Sequence, residues 1–191
     1  MFIKLKGTLI VIFLYFCLFP TNIGATDCPL TPTNLSYHFS PKGGVTKAIV
    51  MEISTAKTEV LVQMYVFTSL PIVDALIGAK NRGVNVIVLV DDSALTSKGS
   101  KVGILFNALI PVFVDKSHSI AHNKIMIVDK KILITGSFNY SASAEATNAE
   151  NILVIKRNYC VVNGYIKNFE NHKVHSEFYG GVVVGKFEGD N

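Results

Sequence analysis

Five polar side chains between positions 122 and 139 are spaced so that most of them gather at one end of a predicted hairpin. His122 and Lys124 are two residues apart on a predicted strand, so both project from the same face. Ser137 and Asn139 are also two apart, at the end of the next predicted strand. Asp129 has the opposite parity and projects from the other face of the strand, which favours a structural role.

An imidazole, an ammonium, a hydroxyl and an amide at one sheet edge suit a phosphodiester substrate. A neutral His122 can attack phosphorus and form a covalent intermediate. Lys124 and Asn139 can bind the non-bridging oxygens and stabilise the charge that develops in the transition state. Ser137 is a candidate for the same role, although Ser137 and Asn139 are also suited to capping a following helix. Glu150 can accept a hydrogen bond from the far ring nitrogen of His122 and so fix its tautomer.

The stretch HNKIMIVDKKILITGSFN, which begins at His122, contains the pattern His-x-Lys-x4-Asp-x6-Gly-Ser-x-Asn without a gap. This pattern resembles the HKD motif of the phospholipase D superfamily. From Tyr37 to about Tyr179, including TNAEN with Glu150, the chain is similar to small secreted bacterial members, the Nuc-type endonucleases and related phospholipase D proteins. The resemblance implies two groups of site residues: catalytic His122, Lys124, Asp129 and Glu150, and phosphate-binding Lys124, Ser137 and Asn139.

The resemblance also implies a two-step mechanism that uses no metal ion or other cofactor. One histidine becomes a phosphohistidine, a second protonates the leaving oxygen, and water then releases the phosphate. Larger members carry two motifs in one chain, but none of His38, His118, His172 and His175 begins a second motif here. We therefore expect a homodimer with the active site at its two-fold interface, where two copies of His122 meet. His172 and His175 are expected to be solvated.

Apolar patterning predicts the elements that position this motif. Residues 59–67 and 84–90 are nearly continuous β-branched apolar runs, typical of strands buried on both faces of a sheet. Residues 71–82 between them have a helical pattern that ends at Gly83. This order predicts an α/β fold with a mixed sheet between two helical layers. The other predicted elements are helices at 46–56, 101–109 and 161–179, strands at 112–114, 124–128, 131–135 and 152–155, and a tight turn at 129–131.

The first 25 residues have the pattern of a secretory signal peptide. Lys4 and Lys6 precede an unbroken apolar run of eleven residues at 9–19, and small residues follow at 24–25. Eleven residues are too few to span a bilayer, which takes about 20. We therefore expect a secreted or periplasmic protein, with an uncleaved membrane anchor as the alternative.

Length and charge restrict the function of the mature chain beyond the signal peptide. The chain has 191 residues and a formal net charge of +4, and removal of residues 1–25 leaves 166 residues with 16 basic and 14 acidic side chains. This balance excludes a strongly basic nucleic-acid coat protein but permits a local basic groove. The predicted organisation is a signal peptide (1–25), a linker (26–34), a phospholipase D-like phosphodiesterase domain (35–180) and a C-terminal tail (181–191).

Two pairs of residues have alternative explanations. Cys28 and Cys160 remain after the signal peptide, and an exported protein can pair them. Their polar lead-in and helix-start positions slightly favour unpaired thiols. Asp91 and Asp92, at a predicted strand end, can mimic a metal-binding pair, but capping a turn is the better explanation because no third ligand has recognisable spacing.

The motif indicates the bond that is cleaved but leaves the substrate open. The favoured hypothesis is a non-specific endonuclease whose basic groove contacts the phosphate backbone through lysines near the motif: Lys116, Lys124, Lys130 and Lys131. The alternative is a phospholipase D that releases a head group such as choline and docks on lipid through an apolar rim: Phe67, Leu70, Ile72 and Ile110. A third hypothesis, a catalytically silent binding module, is disfavoured by the intact motif.

Overall fold

The computed structural model describes residues 34–180, Cys28, and two short paired strands, β1 (Lys4–Leu5) and β2 (Thr8–Leu9). Apart from those strands and Cys28, the predicted signal peptide, the linker before position 34 and the tail at 181–191 lie outside the described residues. Within the described part, no helix is both long and apolar enough to cross a membrane.

Eight further strands and six helices make up the domain. The strands are β3 (Asn34–Phe39), β4 (Glu59–Met64), β5 (Asn85–Asp91), β6 (Val112–Asp115), β7 (Lys124–Val128), β8 (Ile132–Gly136), β9 (Asn151–Lys156) and β10 (Glu177–Phe178). The helices are α1 (Val45–Thr55), α2 (Leu70–Asn81), α3 (Ser93–Thr96), α4 (Val102–Asn107), α5 (Ala142–Ala146) and α6 (Tyr159–Val174).

The eight strands form one mixed sheet in the order β10-β6-β5-β4-β7-β8-β9-β3. The central strands β4, β5 and β6 run parallel, and the neighbours on both sides pair antiparallel. The carboxyl ends of β4 and β5 therefore lie at the same sheet edge as the amino end of β7, where Met64 is the partner of Lys124. This edge carries the residues of the predicted site.

Each face of the sheet is covered by helices, which confirms the predicted architecture. Alternate strand residues such as Val62, Val88 and Met126 pack against helices α1 to α5 in the larger core. The opposite set, including Leu61 and Ile127, packs against α6. Because side chains alternate along a strand, the continuous apolar runs bury both faces.

The sequence prediction was incomplete at the two edges of the sheet. Residues 34–39 form β3, which pattern analysis left unassigned because most of its side chains are exposed and no buried apolar run marks it. The last helix ends at Val174 rather than near 179, and Glu177–Phe178 instead adds an edge strand beside β6.

A disulfide joins Cys28 to Cys160, the second residue of α6. The expectation of unpaired thiols was wrong, because Cys28 lies beside the start of α6, where the two Cα atoms are 5.7 Å apart. The bond closes a loop with a sequence separation of 132 residues, so it links the lead-in to the helix that covers the smaller core.

Candidate active site

The segment before β7 is fixed by a buried carboxylate at the end of β5. Asp91 is 5% exposed and accepts a hydrogen bond from the backbone N–H of Ala121 at 2.6 Å. Its other oxygen accepts from the backbone N–H and the hydroxyl of Ser93. Asp91 thus caps the turn after β5, as expected, and also sets the backbone position immediately before His122.

The His122 side chain is exposed at this edge and lies against an aromatic ring. Its imidazole centroid is 4.7 Å from that of Tyr65, with 58° between the ring planes. Tyr65 directly follows β4, the strand that pairs with β7. A ring supported on one side and open on the other is suited to nucleophilic attack on a substrate that approaches from solvent.

Lys124 is the buried cation of the site, with 7% of its surface exposed. Its Nζ donates a hydrogen bond to the carbonyl oxygen of His122 at 2.7 Å and lies 5.0 Å from the Tyr65 ring centroid. Burial lowers the pKa of Lys124 to about 8, although the nearby charges of Glu150 and Asp91 favour the ammonium form. A phosphate beside this amine would favour the charged form further.

The Gly-Ser-x-Asn part of the motif lies where β8 meets β9. A Cβ at Gly136 would collide with the backbone carbonyl of Asn151, so only glycine fits this close approach. Ser137 Oγ accepts a hydrogen bond from the Asn151 backbone N–H at 3.1 Å. Asn139 Oδ1 accepts from the Val66 backbone N–H at 3.3 Å, which fixes the side-chain amide beside the end of β4. Neither residue caps the next helix, because Ser141 is the N-cap of α5.

Glu150 lies at the same edge of the sheet but does not make the expected contact with His122. Its carboxylate accepts a hydrogen bond from the Asn148 side chain at 3.3 Å, and its backbone N–H donates to Ser40. Within the described residues its carboxylate has no hydrogen bond to His122. The expected tautomer-fixing contact is therefore absent from this structure, and the effect of Glu150 on the site is the charge that it places near Lys124.

Asp129 lies at the opposite end of β7 from Lys124, in the turn to β8. Its carboxylate accepts hydrogen bonds from the backbone N–H groups of Lys57, Thr58 and Glu59 and from the Thr58 hydroxyl, at 2.8–3.2 Å. Burial raises the pKa of Asp129, but these hydrogen bonds outweigh it and the net pKa is lowered. Asp129 therefore joins the β7–β8 turn to the start of β4, away from His122 and Lys124, and we expect its role to be structural rather than catalytic.

The residues expected to distinguish the two substrates are mostly elsewhere. Lys130 and Lys131 lie in the β7–β8 turn with Asp129, and Lys116 is ion-paired with Glu177 at 2.6 Å. Lys124 alone of the four predicted groove lysines therefore lies beside His122 at the start of β7, whereas Lys116, which follows β6 at the same edge of the sheet, has its charge paired. In the expected lipid rim, Phe67, Ile72 and Ile110 are core residues with at most 1% exposure, and only Leu70 is exposed.

The sequence analysis missed the role of Tyr65 and part of the role of Asp91. Tyr65 contacts both His122 and Lys124, but it was counted as part of an apolar strand. The signal for it was a polar-tipped ring at the carboxyl end of a central strand, where α/β proteins place their functional groups. Asp91 was identified as a turn cap, but its contact with Ala121 depends on a loop packing that spacing does not encode.

Comparison with known proteins decides the family. The family model described as "Cardiolipin synthase, PLD-like domain" matches residues 49–173. The phospholipase D of Rickettsia conorii is 42% identical over 144 residues, which cover 75% of this chain and 72% of that protein. This chain belongs to the phospholipase D superfamily. It is accordingly a hydrolase and a phosphodiesterase of that superfamily.

Two further similarities span the same domain of this superfamily member. The mitochondrial cardiolipin hydrolase of Xenopus laevis is 29% identical over 144 residues, which cover 75% of this chain and 64% of that protein. The crystal structure of Nuc from Salmonella typhimurium, described as a phospholipase D family member, superposes with a TM-score of 0.74 at 30% identity. That match covers 78% of this chain and 99% of Nuc. It confirms the predicted phospholipase D-like α/β fold.

Proposed function

We propose that this superfamily member hydrolyses phosphodiesters through a phosphohistidine on His122, without a metal ion in the reaction. The observation that carries the proposal is the sheet edge on which the exposed His122 imidazole lies near the buried Lys124 ammonium, whose Nζ donates a hydrogen bond of 2.7 Å to the carbonyl oxygen of His122. The imidazole nitrogen forms a bond to phosphorus while the bond from phosphorus to the leaving oxygen breaks. Water then attacks the phosphohistidine and restores the imidazole.

Lys124 and Asn139 bind the phosphate in this scheme. The Lys124 ammonium neutralises charge on the non-bridging oxygens, and its partial burial strengthens that interaction relative to water. Asn139 contributes the amide N–H₂ group, since its oxygen is already occupied by Val66. Ser137 accepts a hydrogen bond from Asn151 and has its hydroxyl proton available to donate to the phosphate.

A second imidazole must protonate the leaving oxygen, and we propose that a second copy of this chain supplies it. The chain has five histidines, and only His122 belongs to the motif. A two-fold homodimer that places His122 opposite the partner's His122 completes the acid–base pair with one self-complementary interface. In that pair one His122 is the nucleophile, and the partner's His122 donates the proton to the leaving oxygen.

A phospholipid is the substrate class that we propose first. The relative from Rickettsia conorii is named phospholipase D, and three exposed apolar side chains lie on segments next to the site. Ile120, two residues before His122, is 58% exposed; Phe39, beside the Ser40 that contacts Glu150, is 61% exposed; Leu70 is 48% exposed. These side chains are suited to contact the acyl region of a lipid surface while the head-group phosphate enters the site.

A nucleic acid, which the sequence analysis favoured over a phospholipid, is the second substrate candidate. The structural similarity to Nuc supports a nucleic acid, because the sequence resembles the Nuc-type endonucleases. Electrostatic support for a nucleic acid is weaker, since Lys130 and Lys131 lie at the far end of β7 and Lys116 is ion-paired with Glu177.

Secretion fits the chemistry of the cysteines. A disulfide between Cys28 and Cys160 is stable in an oxidising compartment and uncommon in the cytosol. We therefore propose export by the predicted signal peptide at 1–25, to the periplasm or the medium.

One paired assay tests both parts of the proposal. The purified protein, with His122→Ala and His122→Asn variants beside it, is incubated in EDTA with phosphatidylcholine vesicles and separately with labelled single-stranded DNA. Choline release by the wild type alone supports the lipid substrate, and DNA cleavage by the wild type alone supports the nuclease. Equal turnover by the variants would exclude His122 as the nucleophile.

A further inference from the structure

Four side chains outside the active site converge near the carboxyl end of β6. Asp115 ends that strand, His118 follows it in the loop, His172 is in the last turn of α6, and His175 is the helix C-cap. The four potential ligand atoms all lie within 4.8 Å of one another. His172 was expected to be solvated but its side chain is only 14% exposed, whereas His175 is exposed as expected; both contact the fully buried Asp115 side chain.

Three ring nitrogens approach one oxygen of the Asp115 carboxylate. Oδ2 is 2.7 Å from His172 Nδ1, 3.0 Å from His118 Nδ1 and 3.3 Å from His175 Nε2. His118 Nδ1 also lies 3.1 Å from the second oxygen, Oδ1, so three imidazole rings crowd around one carboxylate. The other oxygen, Oδ1, accepts from the Ser117 backbone N–H at 3.0 Å, which orients the carboxylate with Oδ2 towards the three rings.

We propose that this His₃Asp cluster, formed by Asp115, His118, His172 and His175, binds one Zn²⁺ ion. Three imidazole nitrogens and one carboxylate oxygen are a ligand set that Zn²⁺ accepts in tetrahedral geometry. Bonds of about 2.1 Å to a tetrahedral ion place ligand atoms about 3.4 Å apart. The three nitrogen–Oδ2 separations, at 2.7–3.3 Å, are close to this value, and the four ligand atoms, which lie within 4.8 Å of one another, draw together around the ion.

Four protein ligands leave no open position, so the proposed ion is structural rather than catalytic. It joins the start of the β6–β7 loop, at His118, to the end of α6. Later in the same loop Ala121 is hydrogen-bonded to Asp91, and Asp91 is the strand partner of Asp115. The ion therefore stabilises one end of the loop that carries His122, while the buried carboxylate of Asp91 holds the other end.

Zinc titration of metal-free protein tests the site. The protein is purified without a histidine tag, treated with EDTA, dialysed and titrated with ZnCl₂ by calorimetry, with metal content measured separately. We expect one Zn²⁺ per chain and a higher thermal midpoint when the ion is bound. His118→Ala and His175→Ala, which change the two more exposed ligands, should each weaken binding at least about tenfold.

Two matched histidine variants separate this site from the active site. His38→Ala and His122→Ala remove histidines outside the cluster and should keep one Zn²⁺ per chain with unchanged affinity. Substitution with Co²⁺ should give the visible absorption of a tetrahedral site in the wild type and lose it in His118→Ala. Failure of wild-type protein to bind Zn²⁺, or unchanged binding in both cluster variants, would overturn the proposal whether or not the enzyme is active.

Discussion

Asp91 holds Ala121 through a buried hydrogen bond of 2.6 Å, and Ala121 is the residue before His122. Asp91→Ala removes this contact and leaves the loop free to shift the imidazole. Losing a charged hydrogen-bond acceptor costs about 1–3 kcal/mol, so we expect kcat to fall by about 5- to 150-fold while KM changes little. Asp91→Asn should restore part of kcat, because an amide oxygen can still accept from Ala121.

The comparison needs a control for the turn after β5. Ser93→Ala removes the hydroxyl that also contacts Asp91 but leaves the Ala121 hydrogen bond in place. Its kcat should stay near that of the wild type. A folded Asp91→Ala variant with wild-type kcat would show that Asp91 does not position His122.

Lys124 gives the reaction an alkaline limit. Its pKa of about 8 means that the free enzyme loses this positive charge as the pH rises above that value. We expect kcat/KM to fall on the alkaline side with an apparent pKa near 8, since that profile reports the free enzyme. Lys124→Arg keeps its charge, so the alkaline limb should move to higher pH even if the maximal rate drops. An unchanged limb would assign it to another group.

The same shift makes a prediction about stability. The folded pKa of Lys124 is lower than the value of an exposed lysine, so between about pH 8 and 10 the unfolded chain binds the extra proton. The contribution of Lys124 to the free energy of unfolding therefore increases with pH in this window. Urea titrations give the free energy of unfolding of the wild type and of Lys124→Met, and the value for the wild type minus that for the variant should increase as the pH rises. Parallel pH dependences would contradict the lowered pKa.

Asp129 should matter for folding rather than for the chemical step. Asp129→Asn weakens hydrogen bonds to three backbone N–H groups and one hydroxyl, so we expect a loss of about 1–3 kcal/mol in the free energy of unfolding near neutral pH. Because the folded pKa of Asp129 is lowered, its contribution is present above the unfolded pKa and is lost as the pH falls through the folded value.

Urea unfolding of the two proteins at about pH 7 and about pH 3 measures this difference. The gap between wild type and Asp129→Asn should narrow in acid. A variant with wild-type stability but greatly reduced kcat would return Asp129 to the catalytic set.

The disulfide should stabilise the lead-in and α6 together. A cross-link over a sequence separation of 132 residues restricts the unfolded chain, and we expect its removal to cost about 2–5 kcal/mol. Thermal unfolding of the wild type with and without reductant, beside Cys28→Ser/Cys160→Ser, provides the measurement. Reductant should lower the midpoint of the wild type towards that of the double variant and leave the variant unchanged. A wild-type midpoint insensitive to full reduction would contradict this role.

Local spacing predicted the parts of the site that lie on neighbouring strands. Residue periodicity predicted the strand at 124–128, the turn at Asp129 and the unit of two parallel strands joined by a helix, which the structure has as β4, α2 and β5. Spacing could not predict which distant loops meet. The Asp91–Ala121 contact spans 30 residues and the disulfide 132, and both depend on how the finished sheet brings its connections together.

The predicted groove lysines show that closeness in sequence does not ensure closeness in space. Lys130 and Lys131 fall within the motif in sequence, but their turn lies at the opposite end of the five-residue strand β7 from Lys124. At about 3.3 Å per residue, this places them roughly 16 Å from the edge where His122 and Lys124 lie. Closeness in sequence therefore predicted a basic groove that the antiparallel hairpin does not form.

The central claim is that His122 forms the covalent bond to phosphorus, and trapping that intermediate tests it most directly. The wild-type protein in EDTA is mixed with whichever substrate it turns over, denatured within one turnover under mildly alkaline conditions that preserve phosphohistidine, and digested for peptide mass spectrometry. The account predicts a phosphoryl-linked adduct on His122, at no more than about one per two chains, and no adduct in His122→Asn. Full turnover by His122→Asn, or an adduct on another residue, would contradict it.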